Sequence, residues 1–261
     1  MYQMTDIILN GACGKMGRAI GEASASYGAR IVAGVDRFMG NCNFPLYNKL
    51  ENVTEVADVL VDFTVHTATP ELLAFAKRTG TPMVIATTGH TAEEMEALKE
   101  LSKEVAIFHS GNMSVGINLL ISLCKTVAAS MGDKADIEII EKHHNQKLDA
   151  PSGTALMIAN AIREAHPEEA EIIYDRTARR SARPKHEIGI SAIRGGNIVG
   201  EHEVMFCMGN EIVTIKHSAI GRALFAEGAL RAAEFMKGKT SGFYSMEDLL
   251  KEAVEKPTAT V

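Results

Sequence analysis

Gly11-Ala12-Cys13-Gly14-Lys15-Met16-Gly17 lies between a short β-branched run and a segment of helical periodicity, and this placement indicates the fold class. Its glycines are spaced as GxxGxxG, a variant of the turn that binds a dinucleotide in strand–turn–helix units. Glycine permits the tight turn and lets pyrophosphate approach the backbone, while free N–H groups at the helix N-terminus attract the phosphates. Tight strand-to-helix turns also use glycine for purely structural reasons, so the surrounding sequence must support the functional interpretation.

Strand and helix patterns alternate on both sides of this turn. Strands are expected at 6–10, 30–35, 58–63, 83–86 and 105–108, and helices at 15–27, 70–78 and 91–103. This alternation predicts a parallel sheet with right-handed crossovers and helices on both faces. Residues 38–52 interrupt it with Gly, Asn and Pro and are expected to form a surface excursion.

The pattern changes after Ser114, a candidate N-cap. We expect helices at 115–131, 152–165 and 223–236, and strands at 137–140, 187–193, 198–206 and 211–217. Short Gly/Asn turns at 195–197 and 209–210 favour a mostly antiparallel sheet. The sequence therefore predicts an α/β parallel-sheet domain of residues 1–113 and 223–261, with an α+β domain of residues 114–222 inserted into it.

Composition argues against several classes of protein. A net charge of −6 and a pI near 5.9 disfavour a nucleic-acid or membrane-surface partner, either of which calls for a basic face. No apolar stretch is expected to reach the roughly 20 residues that span a bilayer, and no signal-peptide pattern is visible. Four cysteines lie far apart without paired ligand spacing, so we expect neither disulfides nor a metal site, and a cytoplasmic location.

Asp36 ends the second expected strand, near the distance of roughly 20 residues after the glycine turn at which an acid binds ribose hydroxyls. An acid at this position can also simply end a strand. Arg37 follows and could meet an adenosine 2′-phosphate or stack on adenine, although it could equally be a solvated surface residue. Asp36 favours NADH, whereas Arg37 and Lys15 favour NADPH, so both cofactors are expected to be used.

A second concentration of polar side chains lies in Glu141-Lys142-His143-His144-Asn145-Gln146-Lys147-Leu148-Asp149-Ala150-Pro151-Ser152-Gly153-Thr154-Ala155. It combines a titratable proton carrier, a cation, and hydroxyl and N–H donors at the start of a helix, which suits a carboxylate beside a centre that needs a proton. Two alternatives are a metal site and a loop that merely caps the helix through Ser152. Metal is disfavoured because adjacent histidines on a strand point to opposite faces.

This segment resembles the signature of the 4-hydroxy-tetrahydrodipicolinate reductases, also called dihydrodipicolinate reductases. The resemblance extends over nearly the whole chain. It includes the glycine turn and the runs Val61-Asp62-Phe63-Thr64, Thr87-Thr88-Gly89, Asn112-Met113-Ser114-Val115-Gly116 and Arg194-Gly195-Gly196-Asn197-Ile198-Val199-Gly200-Glu201-His202.

The resemblance implies an NAD(P)H-dependent oxidoreductase of lysine and diaminopimelate biosynthesis that reduces 4-hydroxy-tetrahydrodipicolinate with loss of water. Its fold would be a Rossmann-type dinucleotide domain plus an α+β domain that binds the small dicarboxylate substrate and builds a homotetramer. His143 would be the proton donor and Lys147 a second catalytic cation. The substrate carboxylates would be bound by His144, Lys147, Ser152, Gly153 and Thr154.

The same resemblance assigns residues to the dinucleotide, which would be NADH or NADPH. Those that hold it would be Gly11, Ala12, Cys13, Gly14, Lys15, Met16, Asp36 and Arg37. Those that line its nicotinamide half would be Ala86, Thr87, Thr88, Ser110, Gly111, Asn112 and Met113. Ala86 stands where the family often has Gly, and Met113 stands where an aromatic is frequent; Met113 also fits ordinary core packing.

Two other functions remain open on the residues alone. Another amino-acid-pathway dehydrogenase of the same architecture would keep the glycine turn, as would a dinucleotide sensor without catalytic activity. Neither accounts for the whole of the segment from His143 to Ala155.

Overall fold

The computed structural model describes residues 4–166, 168–174, 176–177 and 179–255. The described residues divide into two compact units, one of residues 4–115 and 223–255 and one of residues 116–222. The assignment of the dinucleotide to the first unit and of the substrate to the second stays a prediction.

The first unit is built on a parallel sheet of seven strands, in the order β12-β6-β5-β4-β1-β2-β3. The strands are β1 (Thr5–Asn10), β2 (Ala29–Val35), β3 (Leu46–Tyr47), β4 (Val59–Asp62), β5 (Met83–Ile85), β6 (Ile107–His109) and β12 (Phe243–Tyr244). The helices are α1 (Lys15–Ala23), α2 (Thr69–Thr79), α3 (Ala92–Leu101), α6 (Ala223–Met236) and α7 (Met246–Glu255).

Burial on both faces of this sheet explains its unbroken apolar strands. Ile7, Ile8 and Leu9 are fully buried; Ile7 and Leu9 belong to one core cluster and Ile8 to another. Successive side chains point to opposite faces of a strand, so a strand with a core on each face carries apolar residues throughout. The strand order reverses at β1, which is the position at which open α/β sheets bind ligands.

The predicted parallel α/β domain is confirmed, with three differences in detail. The first helix is α-helical only to Ala23 and continues as a 3-10 turn over Ser24–Tyr27. The expected surface excursion at 38–52 instead contributes β3, which pairs with β2, and it buries Leu50. The strand β12 and the helix α7 were not expected from the sequence.

The second unit has a five-stranded mixed sheet in the order β11-β10-β7-β9-β8. Its strands are β7 (Asp136–His143), β8 (Glu171–Ile173), β9 (Glu187–Arg194), β10 (Gly200–Met208) and β11 (Glu211–Ala219). The helices are α4 (Val115–Met131), which begins at the boundary of the first unit, and α5 (Gly153–Ala165). Both helices supply core side chains together with one face of the sheet.

The expectation of a mostly antiparallel sheet was wrong. β10 is antiparallel to β7 and β11, but β7 is parallel to β9 and β9 to β8. The turn at 195–197 leads from β9 to β10, yet β7 lies between these two strands, so the turn closes no hairpin. Alternating apolar residues specify which face of a strand is buried, but they do not specify its neighbour.

The expectation about apolar stretches also needs correction. Val115–Lys134, which is α4 with the 3-10 turn that follows it, is 20 residues long with a mean hydropathy of 1.5 and meets the length and composition of a membrane span. One side of α4 nevertheless packs into the core of the second unit through Ile117, Leu120, Cys124 and Ala128. The other side of α4 carries Leu119 and Leu123, which are exposed, so the helix contributes one face to that core.

Candidate active site

The glycine turn after β1 has no room for side chains at two of its glycines. A Cβ on Gly17 would lie 2.3 Å from the carbonyl oxygen of Gly11 and 2.5 Å from that of Ala12. Gly11 has φ +86°, and a Cβ on it would lie 2.9 Å from the carbonyl oxygen of Phe63. Gly14 is the N-cap of α1, so no side chain shields the free N–H groups of the first helical turn. This geometry fits a pyrophosphate.

Asp36 follows β2 and is tied to the turn. Its Oδ2 accepts a hydrogen bond of 2.8 Å from the backbone N–H of Cys13, and its Oδ1 accepts one of 2.9 Å from that of Phe38. Each carboxylate oxygen keeps a second acceptor position, so the group can still receive ribose hydroxyls. The predicted acid therefore lies beside the glycine turn.

A cavity of about 350 Å³ opens beside Asp36, and its lining includes one cation that the sequence reasoning missed. The lining residues are Cys13, Gly14, Arg18, Asp36, Phe38, Met39 and Gly40. Arg18 donates from Nε to the carbonyl oxygen of Cys13 at 3.1 Å. The predicted cations Lys15 and Arg37 are exposed and are not among the lining residues. The spacing of Arg18, four residues after the N-cap Gly14, was the available signal.

The predicted nicotinamide-lining residues follow β5 and β6, whose carboxyl ends lie side by side. A Cβ on Gly111 would lie 3.9 Å from the Cγ2 of Thr88, so the two loops are neighbours. Ser110 donates from Oγ to the carbonyl oxygen of Asn112 at 2.8 Å, which makes the second loop a compact turn. Met113 is only 3% exposed and belongs to the core, and Ala86 is half-buried against it.

Asp62, at the end of β4, is a buried carboxyl that the sequence reasoning quoted without giving it a role. It accepts hydrogen bonds from the Asn10 amide at 2.7 Å, the Thr64 hydroxyl at 2.8 Å and the Thr87 hydroxyl at 2.7 Å. Burial raises the pKa of the Asp62 carboxyl above its ordinary value, against the opposing effect of these bonds. The residue links the strand before the glycine turn to the loop after β5.

In the second unit, a buried acid–base cluster lies at the end of β7. His143 is the last residue of that strand, and its Nδ1 lies 2.6 Å from Oε2 of Glu141, which is 0% exposed. Arg194 donates from Nη1 to Oε2 at 2.8 Å and from Nη2 to Oε1 at 2.7 Å. Burial opposes ionisation of Glu141, but the bonds from Arg194, His143 and the Ser152 N–H hold the pKa of this carboxyl below its ordinary value.

The N-terminus of α5 is adjacent to this cluster. The backbone N–H of Ser152 donates to Oε1 of Glu141 at 3.0 Å, and Oγ of Ser152 accepts from the backbone N–H of Ala155 at 3.1 Å as the N-cap. Gly153 and Thr154 are the first residues of the helix. Three of the predicted substrate-binding residues therefore stand at a positive helix end beside His143.

The loop between β7 and α5 carries the remaining predicted residues. His144 is half-buried just beyond the strand, and Nζ of Lys147 lies 2.9 Å from Oδ1 of Asp149. The hydrogen bond from Lys147 holds the pKa of the Asp149 carboxyl below its usual range. The ammonium group is therefore paired with an exposed carboxylate in this conformation.

His202 on β10 completes the cluster. Its ring centroid lies 5.2 Å from that of His143 in an edge-to-face arrangement, and its Nε2 is 3.2 Å from Oγ of Ser152. Burial, reinforced by the electrostatic effect of His143, lowers the pKa of His202 to about 4. This ring is therefore neutral near pH 7.

Glu141, Arg194 and His202 all lie within the motifs of the sequence, but their roles were not predicted. In the sheet, His143 lies opposite Arg194 on β9, and Glu141 lies opposite His202 on β10. Glu141 and His143 also share one strand face, since they are two residues apart. That spacing was visible in the sequence, but the strand pairing was not. Within the described residues, no group of three or more His, Cys, Asp or Glu side chains is arranged to hold a metal ion.

A parallel sheet with a glycine turn at its switch point, together with a buried histidine–carboxylate cluster in another unit, defines an oxidoreductase that uses a nicotinamide dinucleotide. Residues 5–113 match the family model described as dihydrodipicolinate reductase, N-terminus, and residues 116–250 match the one described as dihydrodipicolinate reductase, C-terminus. The chain belongs to the dihydrodipicolinate reductase family.

Individual relatives agree with this assignment. The 4-hydroxy-tetrahydrodipicolinate reductase of Caldanaerobacter subterraneus subsp. tengcongensis is 50% identical over 250 residues, which cover 95% of this chain and 99% of the relative. The enzyme of the same name from Clostridium novyi is 46% identical over 253 residues, with 95% and 99% covered. These matches confirm the predicted family and enzyme class, an NAD(P)H-dependent oxidoreductase of diaminopimelate and lysine biosynthesis.

One solved structure shows the same fold. It is the dihydrodipicolinate reductase from Paenisporosarcina sp. TG-14 with dipicolinate bound, with a TM-score of 0.81 at 24% identity, and the match covers 94% of this chain and 99% of that one. The predicted fold class, a Rossmann-type unit plus an α+β unit, is thereby confirmed.

Proposed function

We propose that this chain reduces 4-hydroxy-tetrahydrodipicolinate to tetrahydrodipicolinate with loss of water, using either NADH or NADPH. The observation that carries the proposal is the contact of His143 with Glu141 beside the N-terminus of α5. It combines a proton carrier with a positive helix end, which is what reduction of a small dicarboxylate requires. The names of the relatives, and the dipicolinate bound to the Paenisporosarcina enzyme, supply the substrate class.

The substrate carboxylates are assigned to the start of α5 and the loop before it. Ser152, Gly153 and Thr154 lie at the positive N-terminal end of α5, which favours an anion, and His144 and Lys147 add side-chain donors. The chain carries a net charge of −6, so a dianion must be attracted by local positive groups rather than by the overall field.

His143 is assigned as the proton donor and Lys147 as a second catalytic cation. The dinucleotide, when bound, supplies the hydride. Loss of water from the substrate gives a conjugated ene-imine that accepts this hydride, and His143 protonates the resulting enamine anion to give the product. Lys147 offsets the negative charge of the substrate once it exchanges Asp149 for a substrate carboxylate.

The dinucleotide is assigned to the first unit. The glycine turn and the N-terminus of α1 would hold the pyrophosphate, and Asp36 the adenosine ribose. The loops after β5 and β6 would line the nicotinamide, with Thr87 held by Asp62. Use of both cofactors follows from a carboxylate that favours NADH beside cations that favour NADPH.

We also propose that the chain forms a homotetramer through the outer face of the second sheet. By strand register, Ile193 on β9 and Ile212 on β11 lie on the face opposite the core, and they are 45% and 58% exposed. Apolar side chains on a sheet face suit a partner subunit. Sedimentation equilibrium at micromolar concentration should give a mass of four chains, and a monomer would contradict this assembly.

The activity is tested by following NAD(P)H absorbance with substrate generated in situ from pyruvate and aspartate semialdehyde by the preceding synthase. Oxidation that requires both the synthase and this chain is the expected result. A chain that binds NAD(P)H but oxidises none of it would instead support the dinucleotide sensor.

A further inference from the structure

We propose that Glu141 and Arg194 form a positioning pair, which fixes the ring of His143 and, at the same time, the substrate-binding N-terminus of α5. The proposal rests on the proposed function, because it assigns these two residues a part in the same reaction. Neither residue would touch the substrate, and both act through the groups that do.

The buried carboxylate of Glu141 determines which ring nitrogen of His143 carries a hydrogen. Glu141 is fully buried, and its two oxygens receive both guanidinium contacts from Arg194 and the backbone N–H of Ser152. An ionised carboxylate can only accept hydrogen bonds, so Nδ1 of His143, 2.6 Å away, must carry a hydrogen. The remaining ring nitrogen, Nε2, is then the atom that can exchange a proton with a substrate.

Gly200 lies next to Nε2 of His143. A Cβ on Gly200, at the start of β10, would lie only 3.1 Å from this atom and 3.4 Å from the neighbouring Cδ2. A glycine at that position therefore leaves the approach to Nε2 uncovered by a side chain from β10. The ring is thus held at Nδ1 by Glu141, whereas no side chain at position 200 covers Nε2.

Glu141 and Arg194 also form hydrogen bonds with the segment that is assigned to substrate binding. Oε1 of Glu141 accepts the Ser152 N–H at 3.0 Å, and Nη2 of Arg194 donates to the carbonyl oxygen of Asp149 at 2.6 Å. Asp149 is in turn the partner of Lys147. One buried ion pair thus connects the proton donor, the helix N-terminus and the loop that carries the second cation.

The charges around His143 make Glu141 its principal electrostatic partner. The titratable and charged groups that face the ring are Glu141 on its own strand, Arg194 on β9 and His202 on β10, with His217 of β11 behind His202 and Lys147 in the following loop. His202 is neutral, and Arg194 is satisfied by Glu141. Removing the carboxylate would leave the His143 ring without its anionic neighbour.

Glu141→Gln is the main test, with Glu138→Gln as the matched control. Glu138 is on the same strand and contacts Arg183, but it lies on the opposite strand face from His143. In Glu141→Gln, the amide NH₂ replaces one carboxylate oxygen and must face either His143 and Arg194 or Arg194 and Ser152. All three of these residues donate hydrogen bonds to this position, so the NH₂ finds no acceptor in either orientation. Arg194→Lys keeps the charge but loses the two-point contact.

We expect Glu141→Gln to lower kcat on the order of 10²-fold and to change the pH profile of kcat, because the proton donor loses its anionic partner. KM for the substrate should also rise, whereas the Kd for NADPH should stay within twofold. Arg194→Lys should give a smaller loss of the same kind, and Glu138→Gln should resemble the wild type. A Glu141→Gln enzyme with wild-type kcat and pH profile would overturn the proposal, as would an equal loss in Glu138→Gln.

Two measurements keep the proposal testable if Glu141→Gln folds poorly or the proposed reaction fails. The double variant Glu141→Gln/Arg194→Met leaves no unpaired buried charge, and it should fold while keeping the low kcat. The second measurement needs no substrate, because long-range ¹H–¹⁵N spectra of histidine-labelled protein report the ring tautomer directly.

The neutral His143 ring should carry its hydrogen on Nδ1 in the wild type and lose this preference in the double variant. A wild-type Nε2–H tautomer would refute the proposal even in an active enzyme, and a wild type that carries Nδ1–H but reduces no substrate would refute the proposed function alone.

Discussion

The two candidate binding regions of this molecule are built in opposite ways. In the first unit, the glycine turn depends on the absence of side chains. Gly11 and Gly17 lie against carbonyl oxygens where a Cβ does not fit, and the helix N-terminus presents backbone N–H groups. In the second unit, a fully buried carboxylate is surrounded by an arginine, a histidine and a backbone N–H. The first region depends on backbone shape, and the second depends on side-chain charge. Substitutions should therefore separate cofactor binding from proton transfer.

The largest effect is expected at the proton donor. His143→Ala should lower kcat by about 10²–10⁴-fold, because a positioned acid contributes that much to a reaction, and it should leave the NADPH Kd unchanged. Lys147→Ala should also lower kcat, with a rise in KM. Stopped-flow and equilibrium fluorescence titration measure the two quantities separately. A His143→Ala enzyme with unchanged kcat at every pH would remove this residue from the mechanism.

The second effect concerns stability toward acid. Burial lowers the pKa of His202 to about 4, whereas an unfolded histidine titrates near 6.5. The unfolded chain therefore binds more protons between these values, and stability falls as the pH drops through this window. From pH 7 to pH 5 this single group should remove about 2 kcal/mol from the free energy of unfolding.

Urea unfolding of the wild type and of His202→Gln at both pH values tests this expectation. The variant should be less stable at pH 7 but should lose correspondingly less on acidification. His66→Gln is the control, because His66 is 38% exposed and lies in the first unit. Equal acid sensitivity in all three proteins would show that His202 is not the group responsible.

A third effect tests the backbone-shaped region. Gly17→Ala places a Cβ 2.3 Å from the carbonyl oxygen of Gly11, so the turn must shift; the cost should be about 1–3 kcal/mol and NAD(P)H binding should weaken strongly. Gly21→Ala is the matched control in the same helix, because a Cβ there meets nothing within 4 Å. That variant should be as stable as the wild type or more so, since alanine favours helix. Equal NADPH affinity in Gly17→Ala and Gly21→Ala would contradict the assigned role of the turn.

The smallest effect is cofactor preference. Asp36→Ala should weaken NADH and spare or improve NADPH, whereas Arg37→Ala should weaken NADPH selectively. Each contact is worth about 1 kcal/mol, because it is exposed to solvent. Arg18→Ala extends the test, since Arg18 lines the cavity beside Asp36 and Arg37 does not. A wild-type ratio of kcat/KM beyond about a hundredfold in either direction would show that the balance between these charges is misjudged.

The regularities of the first unit were predictable because they are local. Three of its features can each be recognised from a few neighbouring residues: apolar strands buried on both faces, glycine at the turn, and an acid at the end of β2. The same holds for α5, which was expected at 152–165 and is observed at Gly153–Ala165 with Ser152 as its N-cap. The histidine–lysine segment was found for the same reason, because its chemistry is concentrated in fifteen neighbouring residues.

From the amino-acid sequence we could infer the parallel α/β unit, the family, and His143 with the start of α5 as the expected site. The folded chain added the mixed order of the second sheet, the strand β3 within an expected loop, and Arg18 rather than Arg37 in the cavity wall. It also decided that Arg194, 53 residues from Glu141, forms the ion pair that holds His143. The physical reason is that periodicity records which side of an element is buried, whereas the partner across a sheet depends on the free energy of the whole packed domain.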